Sequence, residues 1–170
     1  ATQTSPQTWE ASLRSNLDST FYSARACLPL LIESAGNIVM IGSIASLAAG
    51  PEVCGYTTAK HALLGLNRSM ARDYGPRGVR VNAVCPGWVT TPMADEEMQP
   101  LMNFYGDTLQ QAYARVCADV PLRRPASAEE IARVCRFLAS PDASIITGAT
   151  LVADGGSSIV DVPTLAYAHM

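Results

Sequence analysis

Apolar positions recur along the chain in two rhythms, one suited to helices and one to buried strands. After Ser5-Pro6, a helix start with Ser at the N-cap and Pro at the first helical position, the residues Trp9, Leu13, Leu17, Phe21, Ala24 and Leu28 fall three or four apart. That spacing predicts one long helix to about Ser34. Pro29 lies inside it and is expected to kink it or to open its last turns. Asn16 sits among the apolar positions, where an amide is an indifferent helix former. Asn37–Ile41 (NIVMI) is a short β-rich run and reads as a buried strand ending at Gly42-Ser43. A loop rich in Ala, Gly and Pro follows, then a helix over about 55–74 that stops at Tyr74-Gly75-Pro76.

Val79–Cys85 is the next strand, bounded by Gly78 and Pro86. Residues 93–120 are acidic, Met-rich and amphipathic, and Met93, Met98 and Met102 read as gap-fillers on a helical face. Ser127-Ala128-Glu129-Glu130 is a capping box opening a helix that ends at Ser140-Pro141. Thr150–Ala153 is the last strand, and the tail from Ser157 to Met170 has no periodicity. Strands alternating with helices at this spacing imply an α/β fold, a parallel sheet with helices on both faces. Ligands of such sheets lie beyond the carboxyl ends of the strands. Ser43 and Pro86-Gly87 both fall at such ends, so both segments are expected at one crevice.

Composition narrows the class. A chain of 170 residues is one domain's worth, and 48% hydrophobic with 16% charged residues excludes a disordered segment. A net charge of −3 gives no basic footprint, so neither nucleic acid nor an anionic membrane is an expected partner. No apolar run approaches the ~18 residues of a membrane span, and no signal peptide is evident. The five cysteines are odd in number and widely spaced without a Cys-x-x-Cys. They fit reduced, mostly buried thiols in a cytoplasmic protein, and none has a histidine motif to make it catalytic. His61 and His169 are too far apart in sequence to suggest a metal site.

The chemistry concentrates at Tyr56 and Lys60. Positions i and i+4 share a helix face, so the phenol and the ammonium can lie side by side. A free tyrosine has a pKa of about 10, too high for a base near neutrality, and a nearby cation favours the phenolate. The bland alternative is a solvated helix face. Lys60 is the only lysine among twelve basic residues, which suggests a need for a compact ammonium there. Ser43, at the end of the preceding strand, could offer a hydroxyl to the same substrate oxygen.

Ser43, Tyr56 thirteen residues later, and Lys60 together resemble the active-site segment of the short-chain dehydrogenase/reductase family. RSNLDSTF with Asn16, RVNAVCPGWVTTPM and ITGATLVADGG follow the family's order and extend the resemblance over nearly the whole chain. The resemblance implies a Rossmann-like, doubly wound sheet and an NAD(P)-dependent oxidoreductase interconverting an alcohol and a ketone. Tyr56 would be the general acid/base, Lys60 would assist it and hold the nicotinamide ribose, and Ser43 would polarise the substrate oxygen. Asn16, otherwise a satisfied polar residue at a helix distortion, would hold a water contacting Lys60. Pro86-Gly87, otherwise a simple turn, would line the nicotinamide, with the Val89 backbone and the Thr91 side chain at its carboxamide and Thr90 the fallback for the threonine. By the same resemblance, residues 93–120 are a substrate lid, the last elements build a homotetramer or homodimer, and the cofactor is NAD or NADP.

The family's Gly-rich pyrophosphate turn is not found among the twelve glycines. The expectation is therefore a single domain that is the catalytic portion of the fold, with its N-terminal βαβ part missing through cleavage, disorder or natural shortness. A truncated relative serving as an oligomerisation or binding module is the alternative from another class. An epimerase or dehydratase on the same fold is a third.

Overall fold

Ser5 caps α1 (Pro6–Leu13) by accepting the Thr8 amide at 3.1 Å, and Pro6 fills the first helical position, where no donor is needed. A computed structural model describes residues 1–167, which leaves His169 outside. The expected long helix is not uniform. Arg14–Asp18 form one π-helical turn, closed by the Ser19 amide reaching back five residues to the Arg14 carbonyl. Regular winding resumes as α2 (Ser19–Glu33), and Pro29 stands inside it where the last turn opens, one of the two places expected for it. Arg25 and Pro29 are both exposed, which puts the carbonyl deprived of its donor within reach of water.

β1 (Asn37–Ile41) leads through the helix α3 (Cys54–Tyr74) to β2 (Arg80–Pro86). The two strands pair in parallel, from Asn37↔Arg80 to Ile41↔Val84, as a strand–helix–strand crossover requires. Further along come β3 (Val89–Thr90), α4 (Pro92–Tyr105), α5 (Leu109–Val116), β4 (Ala126–Ser127), α6 (Ala128–Ala139) and β5 (Thr150–Ala153). The strands form one sheet in the order β1-β2-β5 and a separate pair, β3-β4.

The chain divides into two units, residues 1–85 with 133–152, and residues 86–132 with the segment from 153. In the first, β2 is the central strand. Val81, Ala83, Val84 and Cys85 are 0% exposed, and a strand covered on both faces carries such a run rather than an alternation. Met40, Leu64, Met70 and Ala71 pack with them. Of the polar residues of β2, Asn82 is buried and Arg80 half-buried, and both have bonds made. Asn82 donates to the Ile146 carbonyl at 2.8 Å and accepts the Ala149 amide at 3.1 Å. Arg80 donates to the carbonyls of Leu138, Ser140 and Ile146, placing a cation at the carboxyl end of α6.

In the second unit, α4 and α5 share a core of Ala94, Met98, Ala112 and Tyr113. Of the three methionines, Met98 fills that core, Met102 packs against it and Met93 is exposed. β3 and β4 pair in parallel, Val89↔Ala126 and Thr90↔Ser127. The capping box at Ser127 and Glu130 is formed as expected, with bonds of 2.9 and 3.3 Å.

Only Cys85 and Cys117 among the cysteines are buried; Cys54 and Cys135 are half-buried and Cys27 is exposed, so burial of most thiols is not found. Among the described residues no helix is long and apolar enough to cross a membrane. Replacing Asn82 with Ala would strand the Ile146 carbonyl and the Ala149 amide. Urea unfolding is expected to show a loss of about 3 kcal/mol, the order of two buried groups left unpaired; a loss below about 1 kcal/mol would contradict this pinning role.

Candidate active site

The end of β1 is shaped by a close approach. The Gly42 amide donates to the Val84 carbonyl at 2.7 Å, and a Cβ on Gly42 would meet Cys85 Sγ at 2.9 Å and Ser46 Oγ at 3.0 Å. Only glycine fits there. Ser43 follows in extended conformation and caps a single 3-10 turn, Ile44–Ser46. Its Oγ accepts the Ala45 amide at 3.1 Å, while the buried Ser46 Oγ accepts the Ser43 amide at 3.2 Å. A hydroxyl carries one donor besides its lone pairs, and no described residue takes the Ser43 proton.

Helix α3 brings Tyr56 and Lys60 to the same place. It packs against the 3-10 turn that Ser43 caps, against α1, and against the π turn that holds Asn16. Lys60 Nζ donates to the Ile41 carbonyl at 3.0 Å and lies 5.5 Å from the Tyr56 ring centroid, within the range of a cation–π contact. Burial pulls the ammonium below the ordinary lysine value, with Cys85 acting in the opposite sense. Tyr56 is half-buried, and its hydroxyl makes no hydrogen bond to another described residue. Two of the three Lys60 donors are likewise left for a ligand. Phenol, ammonium and serine hydroxyl thus form a set with unspent donors, suited to a polar oxygen and to ribose hydroxyls.

Asn16 stands within the π turn. Its amide donates to the Ser12 carbonyl at 3.1 Å and to Ser15 Oγ at 3.0 Å, covering a carbonyl where the winding changes. The neighbouring His61 is spent within its own helix, with Nδ1 2.9 Å from the Thr57 carbonyl. Among the described residues no group of three or more His, Cys, Asp or Glu could hold a metal ion.

Pro86, Gly87, Val89, Thr90 and Thr91 belong to the second unit. Gly87 lies so close to Asp154 that a Cβ would stand 3.0 Å from its Cα. Asp154 accepts the Gly156 and Ser158 amides at 2.9 and 2.7 Å. Burial works to raise its pKa, but these bonds, led by Ser158, hold it below the ordinary aspartate value. Thr90 Oγ1 donates to the Ala126 carbonyl at 3.3 Å, and Thr91 Oγ1 accepts the Ala94 amide at 3.2 Å as the N-cap of α4. Sequence reading assigned no role to Ser46, Gly55 or Asp154. The tightness of Gly55 is legible only in three dimensions, where a Cβ would meet Ser12 Cβ at 3.1 Å.

Known proteins resemble this chain over most of its length. Residues 1–158 match the family model described as Enoyl-(Acyl carrier protein) reductase. Protein MoaE of Klebsiella aerogenes is 71% identical over 157 residues, covering 92% of this chain and 61% of that protein. The ligand-free aldohexose dehydrogenase AldT of Thermoplasma acidophilum superposes with a TM-score of 0.87 at 32% identity, covering 94% of this chain and 63% of that one. A 4-hydroxyisoleucine dehydrogenase complexed with NADH superposes at 0.76 with 27% identity, over 95% and 64% of the two chains. The chain belongs to the short-chain dehydrogenase/reductase family. It has the family's α/β fold with a parallel sheet, and spans 58–61% of the length of the first curated relatives it matches.

The Gly55–Ser12 contact sets how near α3 comes to α1. Gly55→Ala is expected to cost about 1–3 kcal/mol by overpacking. In a four-protein urea cycle, pairing it with Ser12→Gly should recover about 1 kcal/mol as coupling. Strict additivity would show that the contact constrains nothing.

Proposed function

We propose that this chain is the catalytic portion of an NAD(P)-dependent oxidoreductase that interconverts an alcohol and a ketone. The observation that carries the reading is the Lys60 ammonium, bonded to the end of β1 and 5.5 Å from the Tyr56 ring centroid, beside a phenol hydroxyl with no partner among the described residues. In the oxidation direction Tyr56 takes the hydroxyl proton of the substrate, and in reduction it returns one to the carbonyl oxygen. The ammonium stabilises negative charge developing on the phenol oxygen, and its remaining donors hold the nicotinamide ribose. The Ser43 hydroxyl donates to the substrate oxygen. Asn16 holds a water that links Lys60 to solvent.

A nicotinamide held there would supply the hydride chemistry. NADH in a solved relative supports a nicotinamide cofactor, and the choice between NAD and NADP is a matter for titration. Pro86 and Gly87 line it, while Val89, through its backbone, and Thr91 contact the carboxamide. Segment 93–120 acts as the substrate lid, an ordinary task for a helical segment of this kind. The partners are a small alcohol or ketone and further copies of the chain, as a homotetramer or homodimer. Five unpaired thiols suit the cytoplasm.

In the intact protein, Tyr56→Phe is expected to lower kcat/KM by about 10²–10⁴-fold, followed through nicotinamide absorbance over a panel of alcohols and ketones. Cofactor affinity, read by NADH and NADPH fluorescence, should stay within a few-fold. Near-parental turnover by this variant would remove Tyr56 from the reaction. Lys60→Met is expected to lose both turnover and cofactor affinity, because the ammonium serves both.

A further inference from the structure

We propose that Tyr113 is a positioning residue for Thr91, coupling helix α5 to the nicotinamide-contacting loop; this rests on the role given to Thr91 above. Tyr113 is 6% exposed, and its hydroxyl donates to Asp95 Oδ1 at 2.7 Å. Asp95 stands in the first turn of α4, whose N-cap is Thr91. Its own amide donates to the Thr91 carbonyl at 2.9 Å, and the Ala94 amide donates to Thr91 Oγ1 at 3.2 Å. The phenol therefore grips the very turn that Thr91 starts.

A hydroxyl buried this deeply needs an acceptor, and a carboxylate is a strong one. Burial and then Asp95 push the Tyr113 pKa up to about 12, with the Thr91 backbone pulling the other way. Tyr113 consequently remains a donor at any working pH. Moving the first turn of α4 away from α5 would strand that donor. Ala94, Met98, Ala112 and Tyr113 form one cluster, so the two helices also share their apolar contact.

The far end of the hairpin is closed differently. Arg115 meets Asp107 at 2.7 and 3.1 Å and stacks 3.8 Å from the centre of the Tyr105 ring. That bidentate link joins the end of α4 to α5 and makes no contact with the first turn of α4. The buried phenol–carboxylate bond is thus the one able to transmit the position of α5 to Thr91. By linkage, whatever orders α5 should tighten the contact made by Thr91, and the converse.

The test uses the intact protein with Tyr113→Phe, Asp95→Ala, the Tyr113→Phe/Asp95→Ala double variant, and Asp95→Asn, which keeps an oxygen acceptor. Without cofactor, hydrogen exchange at the Ala94 and Asp95 amides is expected to quicken about tenfold in the first two variants, and to return to parental rates in Asp95→Asn. In fluorescence titrations with NADH and NADPH, the dissociation constant should rise about five- to tenfold in each of the two. The double variant should be no weaker than either alone. Unchanged exchange in Tyr113→Phe would overturn the proposal, as would faster exchange spread evenly over residues 86–132, the mark of a merely structural loss. Faster local exchange with unchanged cofactor affinity would overturn it too. A parent protein that binds neither nucleotide would instead remove the role given to Thr91, while exchange still decides whether Tyr113 holds that turn.

Discussion

The hydrogen bond from the Lys60 ammonium to the Ile41 carbonyl ties α3 to the last residue of β1, and the polar set of the first unit depends on that tie. Two glycines make it possible. At Gly42 the chain leaves β1 against Cys85 and Ser46, and at Gly55 α3 begins against Ser12 and Trp9. A Cβ at Gly42 would require Cys85 to shift, and one at Gly55 would press on Ser12 by a few tenths of an ångström. A lysine suits this place better than an arginine. Its point charge can bond one carbonyl while turning its other donors elsewhere, and no planar fork has to be accommodated. Burial penalises the ammonium, and the carbonyl and the face of the Tyr56 ring compensate in part.

The same logic of satisfied burial explains β2. A central strand covered on both faces would ordinarily be all apolar, yet it carries Arg80 and Asn82. Neither is spent on the ladder. Both reach backbone groups of residues 138–149, a stretch in which α6 ends and the chain turns toward β5. That connection has little regular structure of its own to pair its backbone, so side chains from a rigid strand do it. Asn67 of α3 adds a further bond to the same stretch, to the Ala149 carbonyl at 3.1 Å.

Much of this was legible because it is local. A capping box spans four residues, and both bonds at Ser127 and Glu130 formed where the sequence put them. The parallel pairing of β1 and β2 followed from the helix between them. The π turn had a signal too. Trp9, Leu13, Leu17 and Phe21 recur every four residues, and at 3.6 residues per turn such a stripe drifts by about 120° over its length. One extra residue wound in at Arg14–Asp18 takes up most of that drift. Pro29 stands where the last turn of α2 opens, and the structure adds that it lies on the exposed face. The β3–β4 pair is too short to have a period, and the Tyr113–Asp95 bond joins residues eighteen apart across a turn. No sequence pattern encodes such a contact.

The helices are started by different means: α1, like α4, α5 and α6, is capped by a side chain at its own start, and α3 is not. Thr91, Thr108 and Ser127 each accept an amide from the first turn of α4, α5 and α6. A helix capped by its own side chain keeps its first turn when surrounding contacts change. Helix α3 has no such cap. Val53 precedes it without a side-chain bond, and its opening turn, which carries Tyr56, relies on Ser12 and the packing around Gly55. Self-capped helices suit a segment that must move as a body over a ligand. A helix start fixed only by its neighbours suits a group that must stay put, because any displacement breaks several contacts at once. In the function proposed above, Tyr56 and Lys60 stand on a helix of the second kind and the proposed lid consists of helices of the first.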